Sequence, residues 1–403
     1  MIHSRLCTLL SFLIANSTLG QSVPPNPLAD ESRIALEGRA TVVALSRDSE
    51  VLVIVIDRFQ VDVYSALNGK RLVQFPGQKA PVHAVAISAC GRWMATGGAL
   101  ETVENDLLDK YSENQIRPGD RRNTLGRGAS TSQDDKEHEY QLPLQIPLVN
   151  PRSVSYRGGC VTVWDSKSGE PHKEVRDYPD PIVAVSFRGD ETGLATLDAQ
   201  FAYRSLALNG PGQPAVENNN RVRFNKLPSP QTSFSSDGVR IASLEATAQD
   251  RGNINIKLFD SNKRRLRAIP ARGAVVPWSV AMSPDGQSFV SAGSGGAISV
   301  WGFEAAEVVR TFEHPDKRSI LFVAFSDDGK FVVTYARGGL LCLWDVKGGR
   351  LLLTTEVSKQ DIRAVAFGKE LLTVVSGGFL AEARGVTPIL IQRINLHEAL
   401  RGP

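Results

Sequence analysis

The stretch RGGLLCLWDVK, Arg337 to Lys347, decides the fold of this chain. Two adjacent glycines are followed by a short apolar run that ends in Trp344 and Asp345. A glycine pair favours a tight turn, and a short apolar run after such a turn is typical of a β-strand. The stretch therefore predicts one strand of a hairpin, and the fold depends on whether the chain repeats the pattern.

The pattern recurs along the chain. Each copy has an alternating apolar run, a polar turn and a second alternating run. The seven copies are VVALSRDSEVLVIVI, HAVAISACGRWMATGG, VAVSFRGDETGLATL, QTSFSSDGVRIASL, SVAMSPDGQSFVSAG, FVAFSDDGKFVVTY and RAVAFGKELLTVVSG. Their turns begin about 42 to 48 residues apart, except for one interval of about 100 residues, and such a period is typical of repeated small sheets.

A third alternating run follows each pair and ends in an aromatic residue in most copies. The residues at this position are Tyr64, Trp164, Tyr203, Phe259, Trp301 and Trp344, with Gln392 in the seventh copy. Alternation with period two indicates antiparallel strands. A lone small sheet cannot bury both of its faces, whereas seven sheets packed face to face around an axis can. The sequence therefore predicts an all-β, seven-bladed β-propeller.

Several of these segments resemble WD40 repeats, among them SPDGQSFVSAGSGGAISVWGFE, GGCVTVWDSKSGE and the region around the opening stretch. The Trp-Asp dipeptide of that family is complete at Trp164-Asp165 and at Trp344-Asp345. It is degraded at Phe259-Asp260 and Trp301-Gly302. The likeness covers nearly the whole chain after its first 31 residues, and it implies a WD40-like propeller.

The resemblance also implies a buried hydrogen-bonded set of His, Ser or Thr, and Trp. In the sixth repeat this set would comprise His314, Thr334 and Trp344. Where the family has an aspartate in the turn before the third strand, this chain has Gly158, Gly295 and Gly338. These glycines suit turns that require positive φ.

The two ends of the chain predict the domain boundaries and the closure of the ring. Residues 1–20 combine an early arginine, a ten-residue apolar run and small residues, as in a secretory signal peptide. Residues 21–31 are expected to be a linker and residues 32–403 the propeller. The last repeat stops at its third strand, so we expect Arg33 to Glu37 to pair with Ile389 to Ile394 and complete the blade.

The long interval contains a polar insertion at residues 101–157, which is expected to be mostly flexible. Shorter insertions, ATAQDRGN and FLAEARGVTP, join the same two strands in the fourth and seventh repeats, so all three leave one face of the disc. A recognition surface and neutral drift of tolerated loops both explain this bias. The candidate partner-binding residues near this face are Trp278, Tyr335, Arg337, His83, Asp198, Glu245 and Phe379.

The chain carries no recognisable catalytic, metal-ligand or phosphate-binding motif. We therefore expect no enzyme activity, metal or cofactor. The alternative is a propeller enzyme or a carrier of a small ligand or polysaccharide, with Asp198, Glu245, Arg337 and His83 at the mouth of the channel. The basic segment Ser261 to Arg272 would either protect the rim from edge pairing or contact an anion.

The overall composition favours a protein partner. The net charge is only +3, from 46 basic and 43 acidic residues, so no nucleic-acid partner is expected. After removal of the signal peptide no apolar run is long enough to span a membrane. The remaining three cysteines, Cys90, Cys160 and Cys342, predict free thiols. The sequence thus predicts an exported, periplasmic or extracellular, monomeric scaffold that binds protein.

Overall fold

The computed structural model of the chain describes residues 28–75, 80–104, 154–199, 202–208, 232–246, 254–263, 265–270, 276–360, 362–368, 371–378, 380–381 and 385–396. Within these ranges the regular elements are β-strands and one short 3₁₀ helix, Ser294–Gly296. The predicted all-β fold is confirmed. The predicted signal peptide and most of the insertion at 101–157 lie outside the described residues.

The strands form seven antiparallel sheets, the blades. Blade 1 contains β2 (Ala40–Leu45), β3 (Val51–Ile56), β4 (Gln60–Ser65) and β5 (Arg71–Gln74), and blade 2 contains β6 (Val82–Ile87), β7 (Trp93–Glu104), β8 (Val154–Asp165) and β9 (Pro171–Tyr178). Blade 3 contains β10 (Ile182–Phe187), β11 (Gly193–Asp198) and β12 (Tyr203–Ala207), and blade 4 contains β13 (Thr232–Phe234), β14 (Arg240–Ala246), β15 (Ile254–Asp260) and β16 (Arg265–Pro270). Blade 5 contains β17 (Pro277–Met282), β18 (Ser288–Gly293), β19 (Ala297–Gly302) and β20 (Glu307–Glu313), and blade 6 contains β21 (Ile320–Phe325), β22 (Phe331–Ala336), β23 (Leu340–Asp345) and β24 (Arg350–Glu356). Blade 7 contains β25 (Ile362–Phe367), β26 (Leu371–Gly377), β29 (Ile389–Asn395) and β1 (Leu28–Ile34), and a separate small hairpin is formed by β27 (Leu380–Ala381) and β28 (Gly385–Val386).

The blades stand in a ring with their first strands innermost. First strands of neighbouring blades contact one another from blade 1 to blade 3 and from blade 4 to blade 7, and the contact between β25 and β2 joins the last blade to the first. Because strands alternate in direction within each blade, the turns between second and third strands share one side of the disc with the connections between blades. We call this side the insertion face, since it carries the β7–β8 and β27–β28 hairpins.

The hydrophobic core is divided into clusters that lie between adjacent blades. Alternate residues of β23 enter two different clusters: Trp344 packs with residues of blade 5, and Leu343 packs with residues of blade 7. Both faces of each blade are therefore buried, and strands such as β3 and β23 read as nearly continuous apolar runs whose successive side chains enter opposite interfaces. The ring of blades is what removes apolar surface from water.

The ring is closed by β1, which pairs antiparallel with β29 from Ile34 opposite Ile389 to Leu28 opposite Ile394. Pairing of the N-terminal segment with the predicted partner strand is confirmed, but the strand lies earlier in the chain than predicted. Residues 35–39 instead cross to the innermost strand of blade 1, because the chain must travel from the outer edge of one blade to the centre of the next. The predicted linker at 21–31 thus includes the beginning of this strand.

The outer strands carry irregularities that disrupt their exposed edges. In β5, β9, β20 and β24 the pairing register shifts by one residue opposite the third-strand aromatic residue. The residues skipped by the shift are Leu72, His172, Val309 and Leu352. Such bulges bend an edge and disfavour pairing with another chain.

The insertion in blade 2 begins as an ordered hairpin rather than as a loop. The β7–β8 pairing continues past Ala99 opposite Gly159 as far as Glu104 opposite Val154. The insertion that was predicted to be flexible therefore begins and ends in β-strand, at residues 101–104 and 154–157. Gly158 adopts φ 58° where the hairpin leaves the body of the blade, a conformation that glycine accepts without steric cost. The stem projects from the insertion face.

Candidate functional site

A belt of backbone hydrogen bonds joins blades 7, 1 and 2 on the insertion face. The Ala40 amide donates to Gly378 O at 2.9 Å, which ties blade 1 to the loop that carries the β27–β28 hairpin. The Val82 amide donates to Arg58 O at 2.7 Å, and the Ala99 amide donates to Pro81 O at 3.2 Å. The bases of the two projecting hairpins are thus joined through blade 1 by fixed backbone contacts.

Between the two hairpins lies the blade 1 turn, Asp57–Phe59, which joins β3 to β4. Asp57 and Arg58 adopt positive φ values of 48° and 71°. Consecutive left-handed residues other than glycine cost on the order of 1 kcal/mol each or more, and such strain is concentrated at functional sites. The turn presents Phe59, which is 44% exposed. It is therefore a strained, non-glycine turn that displays an aromatic ring and a guanidinium group.

The mouth of the central channel is ringed by bulged residues of the first strands. In six blades the pairing register between the first and second strands shifts at the second residue of the first strand. These residues are Thr41, His83, Val183, Trp278, Leu321 and Arg363. A bulge re-aims the side chain that it carries, and bulges are frequent next to functional sites. The period-two pattern of the sequence gives no sign of these bulges.

His83 stands next to Arg58 at this mouth and is half-buried. Burial first, and the charge of Arg58 second, lower the pKa of His83 to about 4. The imidazole is therefore neutral in the folded protein at neutral pH, whereas a solvated histidine has a pKa near 6.5.

We expect the folded protein to lose stability as the pH falls from about 6.5 to about 4, because only the unfolded chain binds a proton at His83 in that window. The neutral His83 contributes roughly 2–3 kcal/mol to the free energy of unfolding. This contribution is fully present above the pKa of histidine in the unfolded chain and is lost as the pH falls to about 4. Urea unfolding of wild type and His83→Gln between these pH values measures it. The free energy of unfolding of His83→Gln should depend less steeply on pH than that of wild type. His172→Gln, which replaces an exposed histidine, is the control and should not show this change. Equal slopes for wild type and His83→Gln would contradict the assignment.

The predicted partner-binding residues fall into two groups. Trp278 is half-buried at the channel mouth, and Arg337 is exposed in the turn between β22 and β23. Tyr335 and Asp198 are each 0% exposed, so neither can contact a partner directly, which corrects the prediction. Both stand at strand ends near the insertion face, and the Tyr335 hydroxyl lies against the connection to blade 7, 3.1 Å from Ser358 O.

Asp198 and the two remaining candidates, Glu245 and Phe379, are accounted for as follows. Oδ1 of Asp198 accepts a hydrogen bond from the Ala202 amide at 2.8 Å and so closes its own hairpin turn. Only the backbone of Glu245 is described, in β14 opposite Asn255. Phe379 lies outside the described residues. The four residues proposed for a converging catalytic or ligand site belong to four different blades: His83, Asp198, Glu245 and Arg337.

The third-strand aromatic residues act as wedges between blades. Tyr64, Trp164, Phe259 and Trp344 are buried, and Trp301 is partly buried. Tyr203 and Gln392 were predicted at the same position, but the pairing register places Leu206 and Ile394 there. Each of the three tryptophans donates its Nε1–H to a hydroxyl of the second strand at 2.9 Å: Trp164 to Thr96, Trp301 to Ser291 and Trp344 to Thr334. The predicted bond between Trp344 and Thr334 is confirmed.

The acidic residue after the aromatic residue orders the following turn. Oδ1 of Asp165 accepts hydrogen bonds from the amides of Ser168 and Lys167, and these bonds lower the pKa of Asp165. Asp260 and Asp345 accept equivalent bonds from Lys263 and Lys347. These positions are structural, as the family resemblance implies.

His314 has different partners from those expected. It is fully buried, and its Nδ1 lies 2.5 Å from Oδ1 of Asp316 while its Nε2 lies 3.3 Å from Sγ of Cys342. Asp316, two residues further along the connection, thus supplies the carboxylate that the family places in the hairpin turn. The His-x-Asp spacing could have indicated this. Burial raises the pKa of Cys342 to about 11, so its thiol is protonated and suited to a structural bond.

Two basic side chains of the rim segment, Lys263 and Arg267, are paired within the protein. Oε1 of Glu304 in blade 5 lies 2.6 Å from Lys263 Nζ and 2.8 Å from Nη2 of Arg240, both in blade 4. Arg267 donates hydrogen bonds to the carbonyl groups of Phe303 and Glu304. These contacts tie blade 4 to blade 5.

Three further properties concern only the part of the chain that the structure describes. It contains no cluster of three or more His, Cys, Asp or Glu side chains that could hold a metal ion. Its cysteines Cys90, Cys160 and Cys342 are free thiols. No helix in it is long and apolar enough to cross a membrane.

Comparison with known proteins agrees with this geometry. The sequence model of the WD40 family, the WD domain or G-beta repeat, matches residues 69–103, 265–302 and 306–345. Each matched range begins at or near the outermost strand of one blade and ends in the next blade. The sequence repeat is therefore offset by about one strand from the blade, as closure of the ring by an N-terminal strand requires. The comparison with curated proteins gives no match.

Proposed function

Because the chain is a WD40-repeat β-propeller, we propose that it is a non-catalytic scaffold that binds a protein partner through its insertion face. Propellers of this family commonly serve as interaction scaffolds. The observation that carries the proposal is the arrangement of two projecting hairpins, β7–β8 and β27–β28, on either side of the strained blade 1 turn. Loops fixed on a rigid framework are the usual place for recognition.

The blade 1 turn has the composition of an interface anchor. Arginine and aromatic side chains dominate the binding energy of protein interfaces when they become buried in a complex. Arg58 and Phe59 lie side by side on a turn that is held by hydrogen bonds from both neighbouring connections, so little conformational entropy is lost when a partner covers them. We assign the partner contact to this turn together with the hairpin stems.

We further propose that the protein works as an exported monomer. The signal-like residues 1–20 support export, and the bulges in the outer strands support a monomer because they disfavour edge-to-edge pairing. Cell fractionation that finds the protein only in the cytoplasm would contradict export.

The capture of partners by purified protein tests the proposed function. Variant Arg58→Ser/Phe59→Ser should lose most partner recovery, on the order of tenfold if two anchor residues contribute at least about 1.4 kcal/mol. Replacing residues 105–153 with a short Gly-Ser turn retains the β7–β8 stem and isolates the contribution of the remaining insertion.

The matched control is Leu72→Ser, which removes a similarly exposed apolar residue, 53% against 44% for Phe59, from the rim. The Leu72→Ser variant should capture as much partner as the wild-type protein does. Unchanged recovery with the Arg58/Phe59 variant, or equal losses with the Leu72 variant, would contradict binding through the insertion face.

A further inference from the structure

The turn between β22 and β23 brings basic side chains from three chain segments together on the insertion face. Gly338 and Gly339 adopt φ values of 102° and 101°, in the region that favours glycine. A Cβ atom on Gly338 would lie only 2.5 Å from Nη1 of Arg318, and a Cβ on Gly339 would lie 3.4 Å from Cγ of Lys359. The two glycines therefore let cations from both flanking connections lie directly against the turn.

The backbone that carries these cations is fixed by hydrogen bonds. The Arg337 amide donates to Ser319 O at 2.9 Å, which holds the connection before blade 6. The connection after blade 6 is held by the buried hydroxyl of Tyr335, whose single proton is shared between Ser358 O at 3.1 Å and Gln360 O at 3.0 Å. Lys359 lies between these two carbonyl groups in the chain. Tyr335 is thus a positioning residue for Lys359 rather than a surface contact.

The cluster has an excess of positive charge. Lys317, Arg318, Arg337 and Lys359 are all exposed, with 70% exposure for the side chain of Lys317 and 57% for that of Arg318. Among the residues that the structure describes, Glu313 contacts Lys317 at 3.2 Å and Asp316 contacts Arg318 at 3.2 Å, and Arg337 also has a contact within the protein. Asp316 also contacts buried His314. The described part of the cluster thus has four cations against two carboxylates, an imbalance that attracts anions.

We propose that this cluster, the blade 6 basic turn formed by Lys317, Arg318, Arg337 and Lys359, docks an acidic peptide segment of a protein partner. The proposal rests on the proposed function, since the partner must approach the insertion face. Charge complementarity commits the site to carboxylate side chains, which form charge-assisted hydrogen bonds with guanidinium and ammonium groups. Blade 7 separates this turn from the blade 1 turn, so the two contacts can be tested independently.

Fluorescence anisotropy with a labelled oligo-glutamate peptide tests the proposal directly on the purified protein. The triple variant Arg318→Ala/Arg337→Ala/Lys359→Ala should weaken binding about tenfold or more, and wild-type binding should fall with added salt. Gly338→Ala should weaken binding several-fold without changing any charge, because its Cβ displaces the Arg318 guanidinium.

Two matched controls separate this site from general effects. Gly295→Ala places a Cβ in the equivalent turn of blade 5, at φ 72°, where nothing lies within 4 Å, so it imposes backbone strain without moving a cation. Lys330→Ala removes a 73% exposed lysine from the opposite face. Both should bind the peptide as wild type does, and thermal unfolding of each variant confirms that it is folded.

The proposal is overturned if the triple variant binds oligo-glutamate as tightly as wild type, or if Lys330→Ala weakens binding to the same extent. It is also overturned if phosphopeptides or vesicles of anionic phospholipid bind through these residues and oligo-glutamate does not. Loss of this site alone leaves the proposed function standing, because partner capture through Arg58 and Phe59 is measured separately.

Discussion

Deletion of residues 28–34 should lower the free energy of unfolding by about 5 kcal/mol or more. The deletion removes Ile34, which is 4% exposed in the cluster between blades 7 and 1, and burial of one such side chain contributes about 2–5 kcal/mol. It also removes the β1–β29 ladder, whose hydrogen bonds contribute about 0.5–1.5 kcal/mol each. Gln392 Nε2 would lose its bond to Glu31, and the edge of β29 would be exposed.

Urea unfolding followed by circular dichroism measures this effect, and size-exclusion chromatography reports association through the exposed β29 edge. Ile34→Ala should reproduce about half of the loss. Arg33→Ala is the control, because the Arg33 side chain is 71% exposed and pairs only across the surface with Glu31. An unchanged urea midpoint after deletion would show that the ring is not closed by this strand.

Trp344→Ala should destabilise the protein by about 3–5 kcal/mol, the range for truncation of a buried tryptophan. Trp344 is 4% exposed and stacks on Phe312 of blade 5 at a centroid distance of 5.5 Å, so its removal opens a cavity between blades 5 and 6. Trp344→Phe retains most of the packing but leaves the Thr334 hydroxyl without its donor, which should cost about 1–2 kcal/mol.

Trp301→Ala provides the comparison within the same chain. Trp301 occupies the equivalent position in blade 5 and makes the same type of bond to Ser291, but it is only partly buried. Its truncation should therefore cost clearly less than that of Trp344 under the same unfolding conditions. Equal costs would mean that interblade burial is not what these residues contribute.

The architecture could be predicted from the sequence because it depends on periodicity. Seven copies of an alternating pattern require seven two-faced sheets, and the tryptophans at fixed positions mark the third strands. The hydrogen bond of Trp344 to Thr334 was implied by the resemblance to WD40 repeats. These features repeat along the chain, so an error in one copy is corrected by the others.

Features that occur once were predicted less well. The strand β1 is polar over most of its length, LADESRI, because it lies at an outer edge, so alternation placed it a few residues too late. Tyr335 ends buried against the connection to blade 7, and such a contact between separate segments leaves no local pattern. The contact of His314 with Cys342 arises in the same way, whereas its contact with Asp316 is local and could have been read from the His-x-Asp spacing.

The candidate surface was only partly visible in the sequence. The bias of insertions toward one face was predicted, and Arg337, His83 and Trp278 lie on it or at the channel mouth. The blade 1 turn was not singled out, because the backbone strain at Asp57 and Arg58 appears only in three dimensions. Strain at residues other than glycine has no sequence signature beyond the absence of the expected Asn-Gly or Asp-Gly pair.

Hydrogen exchange of the protein with and without its captured partner tests the central claim most directly, because it reports which turns the partner covers. Binding through the insertion face predicts slower exchange in the blade 1 turn, in the β7–β8 stem and in the turn between β22 and β23. The turns of the opposite face, such as that between β21 and β22, should exchange at unchanged rates. Protection confined to the opposite face or to the outer strands would contradict the account.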